Sequence, residues 1–146
     1  DVRDERAAVH MAQAHAELTG ELGVALVTAG PGMTNSITGI ANAHASRASV
    51  LVMSGGNPRP QENRGGLQDM DHTQLVRSIT RYARTVREPS LVLQELDEAI
   101  SRAFGEAARS IVAGAIVSPA RGESTSTSAV SSRSASGVPV RRPNVP

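Results

Sequence analysis

Blocks of apolar and polar residues alternate along the first hundred positions and predict helices and strands in turn. The alanine-rich residues 6–18 contain no helix breaker before Thr19-Gly20 and predict a helix. Residues 23–28 and 50–54 (GVALVT and VLVMS) are continuous apolar runs, typical of strands buried on both faces of a parallel sheet. We therefore expect residues 24–27 and 50–53 to be buried. The further elements expected are a helix over residues 35–45 capped by Thr34 or Asn35, a short helix over 72–77, a strand over 81–86 and an amphipathic helix from Pro89. This alternation predicts an α/β fold, with a parallel sheet flanked by helices.

Three further stretches lie between and after these elements. Residues 55–68 are polar and rich in Gly, Pro and Asn, which predicts a long loop of the kind that is often functional. Residues 110–119 offer one further candidate strand. Residues 123–146 are mostly Ser, Thr, Ala, Gly, Pro and Arg, which predicts disorder because this composition buries too little apolar surface. We expect a partial domain over 1–107 and a low-complexity tail over 108–146, either out of frame or disordered.

Charge and composition exclude several classes of protein. The 146 residues include 15 Lys and Arg and 14 Asp and Glu. The net charge of +1 argues against a nucleic-acid surface or a polybasic membrane anchor. The absence of cysteine excludes disulfides, thiolate metal sites and a cysteine nucleophile. The sequence shows neither a signal peptide nor an apolar run long enough to span a bilayer. We expect a cytoplasmic protein that binds neither nucleic acid nor membrane.

Three separated motifs carry candidate chemistry, and each also has an ordinary structural explanation. Glu5 near the start of the first helix would complement the helix dipole. Gly30-Pro31-Gly32 would make a tight strand-to-helix turn, and it has neither the lysine of a P-loop nor the spacing of a dinucleotide fingerprint. Gln68 would be a loop residue. The order and spacing of all three favour a shared function.

Residues 3–45 (RDERAAVHMAQAHAELTGELGVALVTAGPGMTNSITGIANAHA) and 64–86 (RGGLQDMDHTQLVRSITRYARTV) resemble a known domain in order and in register. It is the N-terminal pyrimidine-binding (PYR) domain of thiamine-diphosphate-dependent enzymes, in the acetolactate synthase and benzaldehyde lyase branch. The resemblance covers roughly residues 1–107. It implies a flavodoxin-like, three-layer α/β fold, here incomplete at both ends.

The resemblance also implies roles for individual residues. Glu5 would hydrogen-bond the N1' atom of the aminopyrimidine and favour the imino tautomer, whose nitrogen removes the C2 proton of the thiazolium ring. The Gly-Pro-Gly backbone would lie close to the pyrimidine, where a Cβ would block the approach. Gln68 would point toward the substrate, making Glu5 and Gln68 the catalytic candidates. The implied cofactor-binding residues are Glu5, Thr28, Pro31, Gly32 and Asn35.

Other parts of the cofactor site are expected outside this chain. Relatives bind the diphosphate through Mg²⁺ in a second domain with a Gly-Asp-Gly motif, which the sequence lacks. The chain would then hold the pyrimidine half only, be inactive alone, and complete its site with a partner subunit in a homodimer or tetramer. The resemblance leaves open whether the parent enzyme binds FAD. The four histidines are expected to be structural, without a metal site.

Two interpretations of the whole chain remain open. The first is a fragment of a transferase or lyase that decarboxylates and ligates a 2-keto acid such as pyruvate. The second is a non-catalytic partner or regulatory module that binds a complete thiamine-diphosphate enzyme. Glu5 and Gln68 favour the first, because a pure interaction module needs neither. The substrate is left open because Leu67, Arg81 and Ser49 stand where acetolactate synthases usually carry Phe, Lys and Pro.

Overall fold

Alternating helices and strands run through the part of the chain that the structure, a computed structural model, describes: residues 1–104, without the side chain at position 59, and the backbone of 111–114. The elements are α1 (Glu5–Thr19), β1 (Gly23–Val27), α2 (Pro31–Ser46), β2 (Val50–Ser54), α3 (His72–Val76), β3 (Ala83–Thr85), α4 (Val92–Ala103) and β4 (Ile111–Gly114). Short 3₁₀ turns lie at Arg59–Gln61, Arg77–Ile79 and Pro89–Leu91. The expected disorder of residues 123–146 lies outside the described residues.

All four strands form one parallel sheet in the order β1-β2-β4-β3. The crossovers between parallel strands place helices on both faces. α1 and α2 pack on one face and α4 on the other, which confirms the predicted α/β fold with its parallel sheet between helices. The candidate strand within residues 110–119 is confirmed as β4, which lies between β2 and β3.

The larger core lies between the sheet and the pair α1–α2. It is formed chiefly by Val9, Ala12, Met33, Ile40, Val50, Val52 and Val76. On the opposite face, α4 packs Ala99 and Ala103 against Leu51 of β2. The expected burial of residues 50–53 is confirmed for the first three, while Met53 is half-buried. β2 is therefore covered on both faces, as its continuous apolar run predicts.

β1 departs from its predicted burial. Ala25 and Val27 are buried against α1 and α2, but Val24 and Leu26 are 51% and 74% exposed, so the expectation of full burial is wrong for these two. Within the described part of the chain β1 is an edge strand, and α4 packs against β2 and β4 rather than over β1. Alternate side chains of a strand point to opposite faces, so one half of this apolar run faces outward.

The second helix begins earlier than the sequence predicts. α2 starts at Pro31, with Gly30 as its N-cap, so neither Thr34 nor Asn35 caps it. Proline suits the first helical position because its fixed φ is already helical and its missing N–H would have no intrahelical partner. The helix therefore begins inside the Gly-Pro-Gly turn. Separately, no helix among the described residues is long and apolar enough to cross a membrane.

Candidate functional site

The Gly-Pro-Gly turn leaves the carboxyl end of β1, the edge at which ligands bind in open α/β sheets. Gly30 has φ 64° and ψ −111°, a combination that glycine adopts far more readily than other residues. Ser54, at the end of β2, donates from its hydroxyl to the Thr28 carbonyl at 3.2 Å and fastens the start of the turn to the neighbouring strand. Pro31 is exposed at the turn. The sheet thus holds this backbone at its edge.

Glu5 lies against the second glycine of the turn. It is the first residue of α1, behind the N-cap Asp4, whose carboxylate accepts from the Arg6 amide at 2.9 Å. The side-chain bond to Arg6 lowers the pKa of Asp4 to about 2. An added Cβ on Gly32 would lie 2.7 Å from Thr28 Cγ2 and 3.6 Å from Glu5 Oε1. The missing side chain of Gly32 therefore lets the first turn of α2 approach Thr28 and Glu5.

Asn35 binds the other oxygen of the same carboxylate. Its Nδ2 donates to Glu5 Oε2 at 3.1 Å, across 30 positions of sequence. This contact depends on the early start of α2, which places Asn35 one turn beyond Pro31 on a formed helix. The structure thus groups Glu5 with Thr28, Gly32 and Asn35.

Gln68 lies against the first glycine of the turn. An added Cβ on Gly30 would meet Gln68 Cβ at 2.7 Å and its Cα and Cγ at 2.8 Å, so the loop passes directly over the turn. Gln68 itself has φ 69°, a left-handed conformation that costs energy for any residue except glycine. It also lines a cavity of about 310 Å³ together with Asn57, His72 and Arg84. The two candidate catalytic residues therefore lie beside the two glycines of one turn.

Asp69 organises the loop that carries Gln68. Its carboxylate accepts backbone N–H groups from Asn63 at 3.1 Å, Arg64 at 2.8 Å and Gly65 at 3.0 Å. These hydrogen bonds, that from Asn63 first, lower the pKa of Asp69 because they stabilise the ionised form. The loop has a defined shape at this point although it contains no long regular element.

His72 is a residue of the site whose contact the sequence did not reveal. It is 5% exposed, and its Nε2 accepts the Gly30 amide at 2.9 Å. An acceptor at Nε2 requires the neutral imidazole with its proton on Nδ1. Burial lowers the pKa of His72, and the Asp71 carboxylate opposes this only in part. The only local signal is its position at the first residue of α3, directly after the N-cap Asp71.

The ionisable residues in the part of the chain that the structure describes do not cluster as a metal site would require. Among the described residues, no group of three or more His, Asp or Glu side chains could hold a metal ion. The chemistry that the site itself offers is a carboxylate, two amides and a neutral imidazole around a glycine turn.

Comparison with known families matches residues 1–75 to the family described as "Thiamine pyrophosphate enzyme, N-terminal TPP binding domain". These residues are just over half of the chain and include Glu5, the Gly-Pro-Gly turn, Gln68 and His72. The chain belongs to this thiamine pyrophosphate enzyme family. The resemblance seen in the sequence is thereby confirmed, and thiamine pyrophosphate, also called thiamine diphosphate, is the cofactor that defines the family.

Curated relatives include lyases and synthases. The chain is 40% identical over 103 residues to 2-hydroxyacyl-CoA lyase 2 of Bos taurus, a match that covers 70% of this chain. It is 38% identical over 103 residues to an acetolactate synthase of Arthrospira platensis, again over 70% of this chain. It is also 40% identical over 98 residues, 67% of this chain, to the acetolactate synthase isozyme 3 large subunit of Escherichia coli K12. The chain spans only 16% to 17% of the length of these relatives.

The side chains around Glu5 have a chemistry that suits the aminopyrimidine of thiamine diphosphate. A carboxylate can share a proton with a ring nitrogen. Asn35 binds one oxygen of Glu5, and the other lies 3.6 Å from the position that a Cβ on Gly32 would take. The site thus offers a carboxylate that an amide holds in one orientation.

Proposed function

We propose that this chain is the pyrimidine-binding half of a thiamine-diphosphate-dependent 2-keto-acid decarboxylase or carboligase of the acetolactate synthase type, inactive alone. The observation that carries the proposal is the Glu5 carboxylate, held by Asn35 against the glycine turn. A helix-end acid with only a dipole role needs no such amide partner. The relatives include acetolactate synthases, which supports the synthase branch.

Each residue of the site has a distinct task in this proposal. Bound thiamine diphosphate supplies the electron sink for decarboxylating a 2-keto acid. Glu5 would share a proton with N1' of the aminopyrimidine, and its hydrogen bond from Asn35 would keep the carboxylate in one orientation. Thr28 and Pro31 would line the ring, and Gly32 lets the first turn of α2 lie close to Thr28. Gln68 faces the substrate from the other end of the turn.

In this proposal residues 1–107 are a partial pyrimidine-binding domain, and the rest of the enzyme lies outside them. Mg²⁺ and the diphosphate are bound by another domain, and a partner subunit of a homodimer or tetramer completes the site. Pyruvate is the expected type of substrate, FAD use stays open, and a cytoplasmic location stays a prediction. No turnover is expected from the chain alone, because the diphosphate and metal ligands are supplied elsewhere.

Cleavage of a 2-hydroxyacyl-CoA is a second candidate activity. The observations that favour it are the 40% identity to 2-hydroxyacyl-CoA lyase 2 and Leu67, which replaces the Phe expected of acetolactate synthases. Leu67 is 87% exposed and directly precedes Gln68, so it borders the side from which substrate would approach. The cofactor residues serve both reactions, and turnover of pyruvate against a 2-hydroxyacyl-CoA by the assembled enzyme separates them.

The decisive experiment for Glu5 is Glu5→Gln in an enzyme assembled from this chain and the remaining domains. Gln is nearly isosteric but cannot share a proton with N1'. Exchange of the C2 proton of bound thiamine diphosphate for deuterium should therefore slow by about 10²–10⁴-fold, the usual contribution of a general acid or base.

Glu17→Gln is the matched control for this exchange measurement. Glu17 is exposed on the same helix and accepts from Gln13 Nε2, a bond that an amide oxygen can also accept. The C2 proton of thiamine diphosphate bound to the Glu17→Gln enzyme should exchange at the rate seen in the unsubstituted enzyme. An unchanged rate in Glu5→Gln would show that Glu5 is only a helix-end acid, and would favour the non-catalytic interpretation.

A further inference from the structure

His72 connects two parts of the site that are distant in sequence. Its Nε2 accepts the Gly30 amide at 2.9 Å, across 42 positions of sequence. This amide precedes α2, so the helix cannot supply its acceptor. Gly30 is buried, and an unpaired buried N–H would cost about 1–3 kcal/mol. The imidazole therefore provides the acceptor that this conformation of the turn requires.

Gly30 transmits this restraint to Gln68. The backbone and Cβ of Gln68 occupy the space where a side chain on Gly30 would be, so the two residues are in direct contact. Gln68 is held in a left-handed conformation that its own chemistry disfavours. His72, four positions later in the chain, lines the same cavity as Gln68. A displaced Gly30 would thus leave Gln68 without the surface on which it lies.

The bond exists only while His72 is neutral. A protonated imidazole is a donor at both nitrogens, and its Nε2–H would then point at the Gly30 N–H. The other charged groups around His72 are three acids and two arginines. Those that line the same cavity are Glu62, Asp69, Asp71, Arg84 and Arg87, with Arg87 paired to Glu62 and Arg84 paired to Glu95. On α2, the ionisable residue is His44, in its last turn.

We propose that His72 is a positioning residue, whose neutral imidazole fixes the glycine turn and, through Gly30, the backbone of Gln68, and which releases both when it is protonated. The role assigned to Gln68 rests on the proposed function, but the mechanical coupling does not. Burial favours the neutral form, so the contact is complete above pH 6.5, the ordinary pKa of His72, and is lost as the pH falls through its lower pKa in the folded chain.

The test is amide hydrogen exchange of the full 146-residue chain, read by NMR over a range of pH. The two amides followed are that of Gly30 and that of Asp69, the residue after Gln68, which donates to the Gly66 carbonyl at 3.2 Å. Protection of both amides, corrected for intrinsic exchange, should fall along the same curve as the His72 ring shifts. His72→Leu should lower the protection of Gly30 by about tenfold at neutral pH, as expected for the loss of one hydrogen bond. His72→Gln, with an uncharged acceptor of similar reach, should restore protection and remove its pH dependence.

Two controls separate positioning from general stability. His10→Leu removes an exposed histidine from α1 and should leave the protection of Gly30 unchanged. The amides of β2 should keep their protection in every variant. Equal loss in β2 and at Gly30 would overturn the proposal, because His72 would then support the whole fold. The proposal would also be overturned if the Gly30 amide of the unsubstituted chain were unprotected, or if its protection did not change as His72 is titrated.

The exchange measurement needs no cofactor, so its outcome is independent of the Glu5→Gln experiment. Coupling at Gly30 with an unchanged C2 exchange rate would support the role of His72 and reject the proposed catalysis. The reverse result would keep the catalytic proposal and reject this one.

Discussion

Gln68 shows how one residue carries strain at the proposed site. Its φ of 69° lies in the left-handed region, which costs a residue with a Cβ about 1–2 kcal/mol. Strained backbone persists where the surroundings determine it, and such positions cluster at functional sites. Here the surroundings are Gly30 beneath Gln68 and the Asp69 bonds beside it. The strain is therefore consistent with a side chain that is required at this position for its chemistry.

Replacing Gln68 with Gly and with Ala should reveal the strain in its backbone. Gln68→Gly should be more stable than Gln68→Ala by about 1 kcal/mol, because only glycine relaxes at this φ. Urea unfolding of the two variants measures the difference. The same pair at Gln61, in a 3₁₀ turn of the same loop, should give the opposite order, with Ala the more stable. Equal stability of Gln68→Gly and Gln68→Ala would show that the strain is absent.

At the scale of elements, the site depends on where α1 and α2 begin and on the hydrogen bonds that hold the loop between β2 and α3. α1 begins at Glu5 and α2 at Pro31, and these two starting points bring a carboxylate and an amide within 3.1 Å. The loop between β2 and α3 crosses back over the turn. Asp69 holds its shape through backbone hydrogen bonds, and His72, at the start of α3, binds the Gly30 amide. The site is thus built where two helices begin and one loop folds back at the sheet edge.

Asp69→Asn should loosen this loop in a pH-dependent way. The backbone bonds hold the pKa of Asp69 below its ordinary value of 3.8, so its contribution to stability is fully present above pH 3.8 and is lost as the pH falls through the lower folded value. The unsubstituted chain should therefore exceed Asp69→Asn in stability near neutral pH, and the gap should close in acid.

Urea unfolding at several pH values measures this gap for Asp69→Asn. Amide exchange at residues 63–65 reports whether the loop itself has loosened. Asp97→Asn, an exposed substitution on α4, should leave those amides unaffected. A stability gap that stays constant down to acid pH would contradict the assigned role of Asp69.

At the scale of the whole molecule, the sheet is covered unevenly. β2 is enclosed by α1–α2 on one face and α4 on the other, whereas β1 shows Val24 and Leu26 to solvent. Apolar runs of similar appearance therefore make different contributions to stability. The difference comes from position in the sheet, since β2 is central and β1 is at the edge of the described sheet.

Two Thr substitutions measure this difference. Val52→Thr places a hydroxyl at a fully buried position in β2 and should cost about 1–3 kcal/mol, because the new group lacks a partner. Leu26→Thr replaces a side chain that is 74% exposed and should change stability by less than about 0.5 kcal/mol. Thermal or urea unfolding of the full chain gives both values. A large cost at Leu26 would mean that something outside the described residues covers β1.

Local patterns were sufficient for the alternation of helices and strands, for the burial of residues 50–52 and for the parallel sheet. These properties depend on residue spacing and on nearby turn residues, which a single sequence displays directly. The family could also be predicted from the sequence, because the order of the motifs around Glu5, Gly30 and Gln68 along the chain is typical of it. The roles assigned to them stay predictions.

Tertiary structure alone decided the exposure of Val24 and Leu26, the start of α2 at Pro31 and the contacts within the site. Asn35 meets Glu5 across 30 positions and His72 meets Gly30 across 42, distances at which sequence pattern carries no information about contact. The sequence by itself determined what each segment becomes. Packing decided which segments are in contact, because burial and hydrogen bonding stabilise a contact however far apart its residues lie along the chain.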